Sequence, residues 1–378
     1  MKKKCLFCRI LKGIGYALFS IATIAVVLAI VMTIQPKQNL DLVAAIQPVE
    51  HRELEVKKDL EGYWTITKPD DSELVILQLT DIHLGNGIFT KGRDKLAIEA
   101  VTKIVNYVKP DLIICTGDNV YPINIQGGNG NNLASFKVFA GMMEAFGIPW
   151  AVTFGNHDSE FLSLYTKQQL GEYLLTLEHC IYDLGPADIH GVGNYVIKVL
   201  NSDGSINNAL FVIDSNAYEG YNPWHYDKIY DDQIAWYEDT LRAISPPEAD
   251  LVPSLAFLHI PLNEFADAWS LYKEGSDEVE FLGGIAGEPN EKVCDPYSKG
   301  NMFEKMVELG STKAVFVGHD HYNNWSIRYK GIELSYGYSI DYLAYPDAIK
   351  NTFQRGGTII KIADDGSYSV EKKLLIDM

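Results

Sequence analysis

Five short blocks hold the residues most able to do chemistry: Asp81-Ile82-His83, Gly117-Asp118-Asn119, Gly155-Asn156-His157-Asp158, His259, and Gly318-His319-Asp320-His321. Each follows or ends an apolar run that reads as a buried strand. Carboxylate and amide oxygens and imidazole nitrogens are ligands for transition metals, and imidazole is the commonest of them. Delivered from several strand ends to one place, they make a two-metal hydrolytic site, with cations about 3.5–4 Å apart. Asp118 has two oxygens and can bridge both cations. Asp81 and His83 are two apart, so on a continuing strand they would face the same way. His319 and His321 share that spacing and can serve neighbouring cations from one loop. Singly, each histidine reads as an ordinary polar residue, and each Asp as a turn former or helix cap. Their joint occurrence, in order, carries the metal reading. His51, His179, His190 and His225 lack a motif and read as ordinary.

The order D-x-H, G-D, G-N-H-D, H, G-H-x-H resembles the calcineurin-like metallophosphoesterases over roughly residues 72–345. Phe257 to Glu264, Gly117-Asp118-Asn119 and Ala314 to Asn323 are similar to the purple-acid-phosphatase-like branch of that family. The resemblance implies a four-layer α/β/β/α sandwich. It implies two divalent or mixed-valence transition ions: manganese, iron or zinc. One would be held by Asp81, His83, Asp118 and His321, the other by Asp118, Asn156, His259 and His319. It further implies hydrolysis of a small-molecule phosphate ester, with a monoester favoured. A metal-held hydroxide would attack phosphorus, His157 would protonate the leaving oxygen, and Asp158 would orient His157. The alternatives are a diesterase acting on nucleotides or lipid headgroups, and a phosphoesterase-fold binding module without turnover. Purple acid phosphatases proper carry G-D-x-x-Y and D-x-G. This chain has Tyr121 at the tyrosine position yet keeps His83, which makes the two rivals for one place. His83 ranks first, with Tyr121 as a loop residue near the site.

The elements that must position these blocks alternate in type. An apolar strand over 74–79 leads to Asp81, and residues 63–66 suggest a hairpin strand before it. A helix over 95–108 stops at Pro110, a strand follows over 112–115, then a helix over 136–146 and a strand over 150–154. Strand–helix alternation of this kind is an α/β layered pattern. Strands over 211–214, 255–259 and 314–317, with helices over 232–244 and 302–309, continue it. Segments 326–340 and 357–376 read as closing antiparallel strands. Stretches 121–131 and 264–300 read as irregular insertions of the kind that form lids or binding loops. Gly117, Gly155 and Gly318 are expected to let the backbone turn beneath the metals. Trp236 reads as core, while Tyr218, Tyr221, Trp224 and His225 are candidates for the substrate mouth.

Lys2, Lys3, Lys4, Arg9 and Lys12 precede an uncharged stretch over 13–34. That is long enough to span a bilayer, which takes about 20 residues. The basic flank belongs on the cytoplasmic side. The expected organisation is a cytoplasmic tail (1–12), a single-pass signal anchor (13–34), a stalk (35–60) and an extracytoplasmic catalytic domain (61–378). A cleaved, secreted form is the alternative. The formal charge of −18 argues against a nucleic-acid surface, which needs clustered Lys and Arg. Five cysteines are too few for a disulfide framework. Cys5 and Cys8 have no second pair, Cys115 reads as a buried strand residue, and Cys180 and Cys294 are candidates to pair outside the cytoplasm. Oligomeric state is not legible in the sequence.

Overall fold

The computed structural model describes residues 6–31, 33–123, 126–247, 250–345 and 353–378. In chain order, α1 (Leu6–Val31) and α2 (Lys37–Ala44) precede β1 (Glu55–Lys58), β2 (Trp64–Thr67) and β3 (Leu74–Leu79). Then come α3 (Lys91–Val108), β4 (Leu112–Thr116), α4 (Asn132–Ala145), β5 (Trp150–Thr153), α5 (Lys167–Leu174) and β6 (Cys180–Ile181). A second run holds β7 (Tyr195–Leu200), β8 (Ile206–Val212), α6 (Asp231–Ile244), β9 (Ser254–Phe257), α7 (Asn263–Glu274) and β10 (Val279–Gly283). It closes with α8 (Met302–Leu309), β11 (Thr312–Val317), β12 (Ser326–Tyr329), β13 (Ile332–Tyr336), β14 (Gly356–Ile362) and β15 (Tyr368–Leu374).

Two sheets form. One has six strands in the order β15-β14-β3-β4-β5-β6, and the other has nine in the order β1-β2-β7-β8-β9-β11-β13-β12-β10. Strands β3, β4, β5 and β6 run parallel, as do β8, β9, β11 and β13. The central strands β8, β9 and β11 of the nine-stranded sheet are buried on both faces: successive side chains point to opposite faces, and their apolar runs supply both. Leu210, Val212, Leu255, Phe257, Ala314 and Phe316 pack in one cluster with the six-stranded sheet. Their neighbours Ala209, Phe211, Ala256 and Val315 pack in a second cluster with α6, α7 and α8. On the far side, α3 and α4 cover the six-stranded sheet through Val101, Ile104, Phe136 and Phe139. The expected α/β/β/α layering is therefore present.

Three local expectations need correction. Residues 64–67 are a strand but not a hairpin partner of β3; β2 pairs with β1 and β7 in the other sheet. Its Ile66 is fully buried in the inter-sheet core, so the turn at 69–71 carries the chain from one layer to the other. The 264–300 stretch is not all irregular. It contains α7, which buries Phe265, Ala268 and Trp269, and the edge strand β10, paired with β12. Nor are residues 35–60 a free stalk. Asn39 on α2 is fully buried and donates to Asn86 (3.0 Å) and Asp94 (2.9 Å), while Leu42, Val43 and Ile46 pack on the core. Helix α1 is the one helix among the described residues long and apolar enough to cross a membrane, with mean hydropathy 2.5 over Cys8–Val31.

Candidate metal centre

Strands from both sheets end at one place. Asp81 and His83 come after β3, Asp118 after β4, Asn156 after β5, His259 after β9, and His319 and His321 after β11. All seven are buried. They form two groups: Asp81, His83, Asp118 and His321, and Asp118, His259 and His319. Within each group the ligand atoms lie within 4.8 Å of one another. Asn156 joins the second group. Its Oδ1 lies 3.2 Å from His259 Nε2, while its Nδ2 donates to Tyr218 Oη at 2.8 Å, leaving the carbonyl oxygen to face the group.

The ligands do not lie on continuing strands. β3 stops at Leu79, and Asp81 (φ 52°) and His83 (φ 51°) are both left-handed, as are Asp118 (φ 50°) and His319 (φ 75°). A non-glycine residue held there costs about 1–3 kcal/mol, and such strain clusters at functional sites. The turns are fixed by Asp81 N donating to Gly117 O (3.1 Å), His83 N to Asp118 O (3.0 Å), and His319 N to the Asp81 carboxylate (3.2 Å). Two of the three motif glycines act by close approach. A Cβ on Gly155 would lie 2.1 Å from Asp118 Oδ1, and one on Gly318 would lie 1.9 Å from Thr80 Oγ1. Gly117 combines positive φ (86°) with contact against His259.

The residues fit a pair of cations. Asp118 Oδ2 is buried without a hydrogen-bond partner, yet His259 Nε2 (3.1 Å), His83 Nε2 (3.5 Å) and His157 Nε2 (4.0 Å) surround it. Imidazole nitrogens also face each other, His83 Nε2 to His321 Nε2 at 3.1 Å and His259 Nε2 to His319 Nδ1 at 3.3 Å. Two rings are oriented through the nitrogen that points away. His259 Nδ1 meets Thr116 O at 2.9 Å, and His321 Nδ1 meets Asp341 Oδ2 at 3.1 Å, the support that metal-binding histidines generally have. Burial opposes charge on both rings, but the surrounding carboxylates win and raise His259 and His321 to about 9. Burial lowers His83 and His319 instead. The positive charge that the carboxylates favour on these two rings is the charge that bound cations would supply.

His157 lines the cavity over this centre. The carboxylate that orients it is that of Glu160, not of Asp158. His157 Nδ1 meets Glu160 Oε1 at 2.5 Å, and Tyr218 Oη donates to the same oxygen at 2.7 Å. Asp158 is fully buried and faces the other way, accepting from Gly155 N (2.8 Å), Val120 N (3.0 Å) and Asn119 Nδ2 (3.1 Å). Its hydrogen bonds are to groups of the neighbouring loops and not to the His157 ring. Burial lowers the His157 pKa, but Asp118 and Glu160 outweigh it and the net shift is upward. Tyr121 donates to Gln126 Oε1 at 2.6 Å, and its ring sits edge-on to His83 and His157, at 5.1 and 5.0 Å. His83, by contrast, stands in the first ligand group with Asp81, Asp118 and His321.

The cavity has a volume of about 560 Å³, and Tyr218 and Trp224 line it as expected, together with Tyr226, Tyr345 and Lys292. Tyr221 and His225 are not in its wall; His225 stacks on Tyr297 instead, at 3.7 Å. Trp236 is half-buried, edge-on to Phe211. Cys8, Cys115, Cys180 and Cys294 are all free, so Cys180 and Cys294 do not pair; Cys5 lies outside the described residues. Sequence reasoning missed Glu160 and Asp341. Glu160 had a signal, a carboxylate three residues past His157, whereas Asp341 sits in a loop after β13 with none.

Two sheets that deliver shared ligands to adjacent cation positions define a dinuclear metallohydrolase class. Residues 74–323 match the calcineurin-like phosphoesterase family, and the chain belongs to it. It is 30% identical over 307 residues to a protein of Arabidopsis thaliana named probable inactive purple acid phosphatase 14, covering 73% of this chain and 72% of that one. It is 28% identical over 285 residues to the phosphatase DCR2 of Saccharomyces cerevisiae, covering 71% of this chain and 47% of that one. A dimetal phosphatase from Danio rerio has a similar fold, with TM-score 0.50 at 10% identity over 80% of this chain and 99% of its own.

Proposed function

We propose that this chain hydrolyses phosphate monoesters at the dinuclear centre, with His157 as the general acid. The observation that carries the reading is the unpartnered Asp118 Oδ2 between two complete ligand groups, beside a histidine whose far nitrogen is held by Glu160. Asp81, His83, Asp118 and His321 would hold one ion, and Asp118, Asn156, His259 and His319 the other. Bound there, manganese, iron or zinc would supply Lewis-acid charge and lower the pKa of the attacking water.

The remaining work falls to side chains. Glu160 fixes His157 with Nδ1 turned away, so Nε2 faces the cavity and gives its proton to the leaving oxygen. Tyr218 joins that arrangement to the metal side, since its hydroxyl contacts both Glu160 and the Asn156 amide. Lys292, the one lysine or arginine in the cavity wall among the described residues, favours the more highly charged monoester over a diester. Helix α1 would anchor the chain in the cell membrane with its basic end cytoplasmic and the catalytic domain outside.

Turnover of p-nitrophenyl phosphate by metal-loaded protein tests the activity, with bis-p-nitrophenyl phosphate as the diester comparison. The Arabidopsis relative carries "inactive" in its name, which makes turnover the deciding measurement. Metal-loaded protein that turns over neither compound, nor any of a broad ester panel, would leave the binding module as the better account.

A further inference from the structure

The substrate cavity opens beside exposed apolar side chains. Phe161 is 90% exposed, Leu162 69% and Leu164 61%, on the loop that follows Glu160. Phe89, 67% exposed, lies on the loop between His83 and α3. Residues 127–130 join the two loops. A Cβ on Gly127 would lie 3.2 Å from Phe89 Cβ, and Leu164 N donates to Gly130 O at 3.0 Å. The four side chains therefore belong to one edge, next to His157 and Glu160 in the cavity wall. A cluster of exposed Phe and Leu on a chain of formal charge −18 marks an interaction surface.

Helix α2 is fastened to this same edge. Gln38 Nε2 donates to Lys91 O at 3.0 Å, and Asn39 donates to Asn86 and Asp94, on either side of Phe89. Val31, the last residue of α1, is six positions before Lys37. Six residues span at most about 20 Å when fully extended. With α1 in a bilayer, the start of α2 is held within that reach of Val31, whatever path the linker takes, and α2 in turn is fastened to the loop that carries Phe89.

We propose that the edge formed by Phe89, Phe161, Leu162 and Leu164 docks into the bilayer that α1 spans, so that the metal centre faces phosphate esters presented at the lipid surface. This rests on α1 being an uncleaved anchor and on the hydrolytic reading of the centre. Phe and Leu side chains entering the acyl boundary bury apolar area, and a second attachment beside the anchor fixes the orientation of the domain.

The full chain, loaded with metal and reconstituted in phosphatidylcholine vesicles, provides the test. Tryptophan emission of Phe161→Trp should be quenched by brominated phosphatidylcholine beyond the quenching of the unsubstituted chain. Equal quenching overturns the docking, whether or not the protein turns over any ester. The triple variant Phe89→Ser, Phe161→Ser, Leu164→Ser should hydrolyse phosphatidic acid in vesicles at least tenfold more slowly while keeping p-nitrophenyl phosphate turnover within twofold. A parallel fall in both, or no fall in either, also overturns it. Absent turnover of p-nitrophenyl phosphate, its bis ester and the broad ester panel by the unsubstituted chain would instead sink the hydrolase reading, and the quenching would still decide the docking.

Discussion

At the scale of single residues, roles divide by which atom each side chain leaves free. Asp118 leaves Oδ2, so Asp118→Asn should bind fewer than two metal ions per chain by elemental analysis. His157→Ala should keep both ions yet lose about 10²–10⁴ in turnover, the usual worth of a general acid. Glu160 raises His157, so activity that needs protonated His157 is lost as pH rises through its pKa. Glu160→Gln removes a charged hydrogen bond worth about 1.5–3 kcal/mol, which moves the basic limb of the pH–rate profile down by about one to two pH units. An unmoved limb would mean that Glu160 does not act through His157. Tyr121 donates to Gln126 away from the ligands, so Tyr121→Phe should retain both metals. A visible charge-transfer band lost in that variant would return the ligand place to the tyrosine. The seven candidate ligands were legible because each lies in a short motif at a strand end. Glu160 and Asp341 were less so, because their roles depend on loop closure that no local pattern encodes.

At the scale of elements, the parallel strands could be read from apolar runs and their helices from helical spacing, and most bounds moved by only a few residues. What escaped were features decided by layer and turn. β2 reads locally like any half-buried strand, and its sheet is settled only by pairing with β7. β10 is an edge strand with mostly exposed side chains, so its hydrophobic pattern is weak. The left-handed turns at Asp81 and His83 replace the continuing strand that the spacing suggested. These turns depend on one strand end passing directly over the next, and that makes Gly155 a sensitive position. Its Cβ would strike Asp118 Oδ1, within a fully packed loop. Gly155→Ala should cost about 1–3 kcal/mol, as overpacking does, and should lower metal stoichiometry along with the unfolding midpoint. Full metal content and an unchanged midpoint would show that the strand ends have slack here.

At the scale of the whole molecule, ions held by the two ligand groups would act as clips between the sheets. The first group takes Asp81, His83 and Asp118 from the six-stranded sheet and His321 from the nine-stranded one. The second takes Asp118 from the former and His259 and His319 from the latter. Metal bound to the folded chain alone stabilises it by mass action, by about 4 kcal/mol per ion at a thousandfold excess over Kd. For a domain of this size, chelation should lower the unfolding midpoint by roughly 5–15 °C. The same coupling gives metal affinity a pH dependence. His259 and His321, raised to about 9 without metal, must each release a proton to bind an ion. Apparent affinity should therefore rise with pH up to about 9, and near neutrality binding should release about two protons, visible as buffer-dependent heats in calorimetry. Asp118→Asn belongs to both groups, so it should lose most of the chelator-induced fall. A chain that binds two ions yet melts at the same temperature with and without chelator would show that the sheets are held by packing alone.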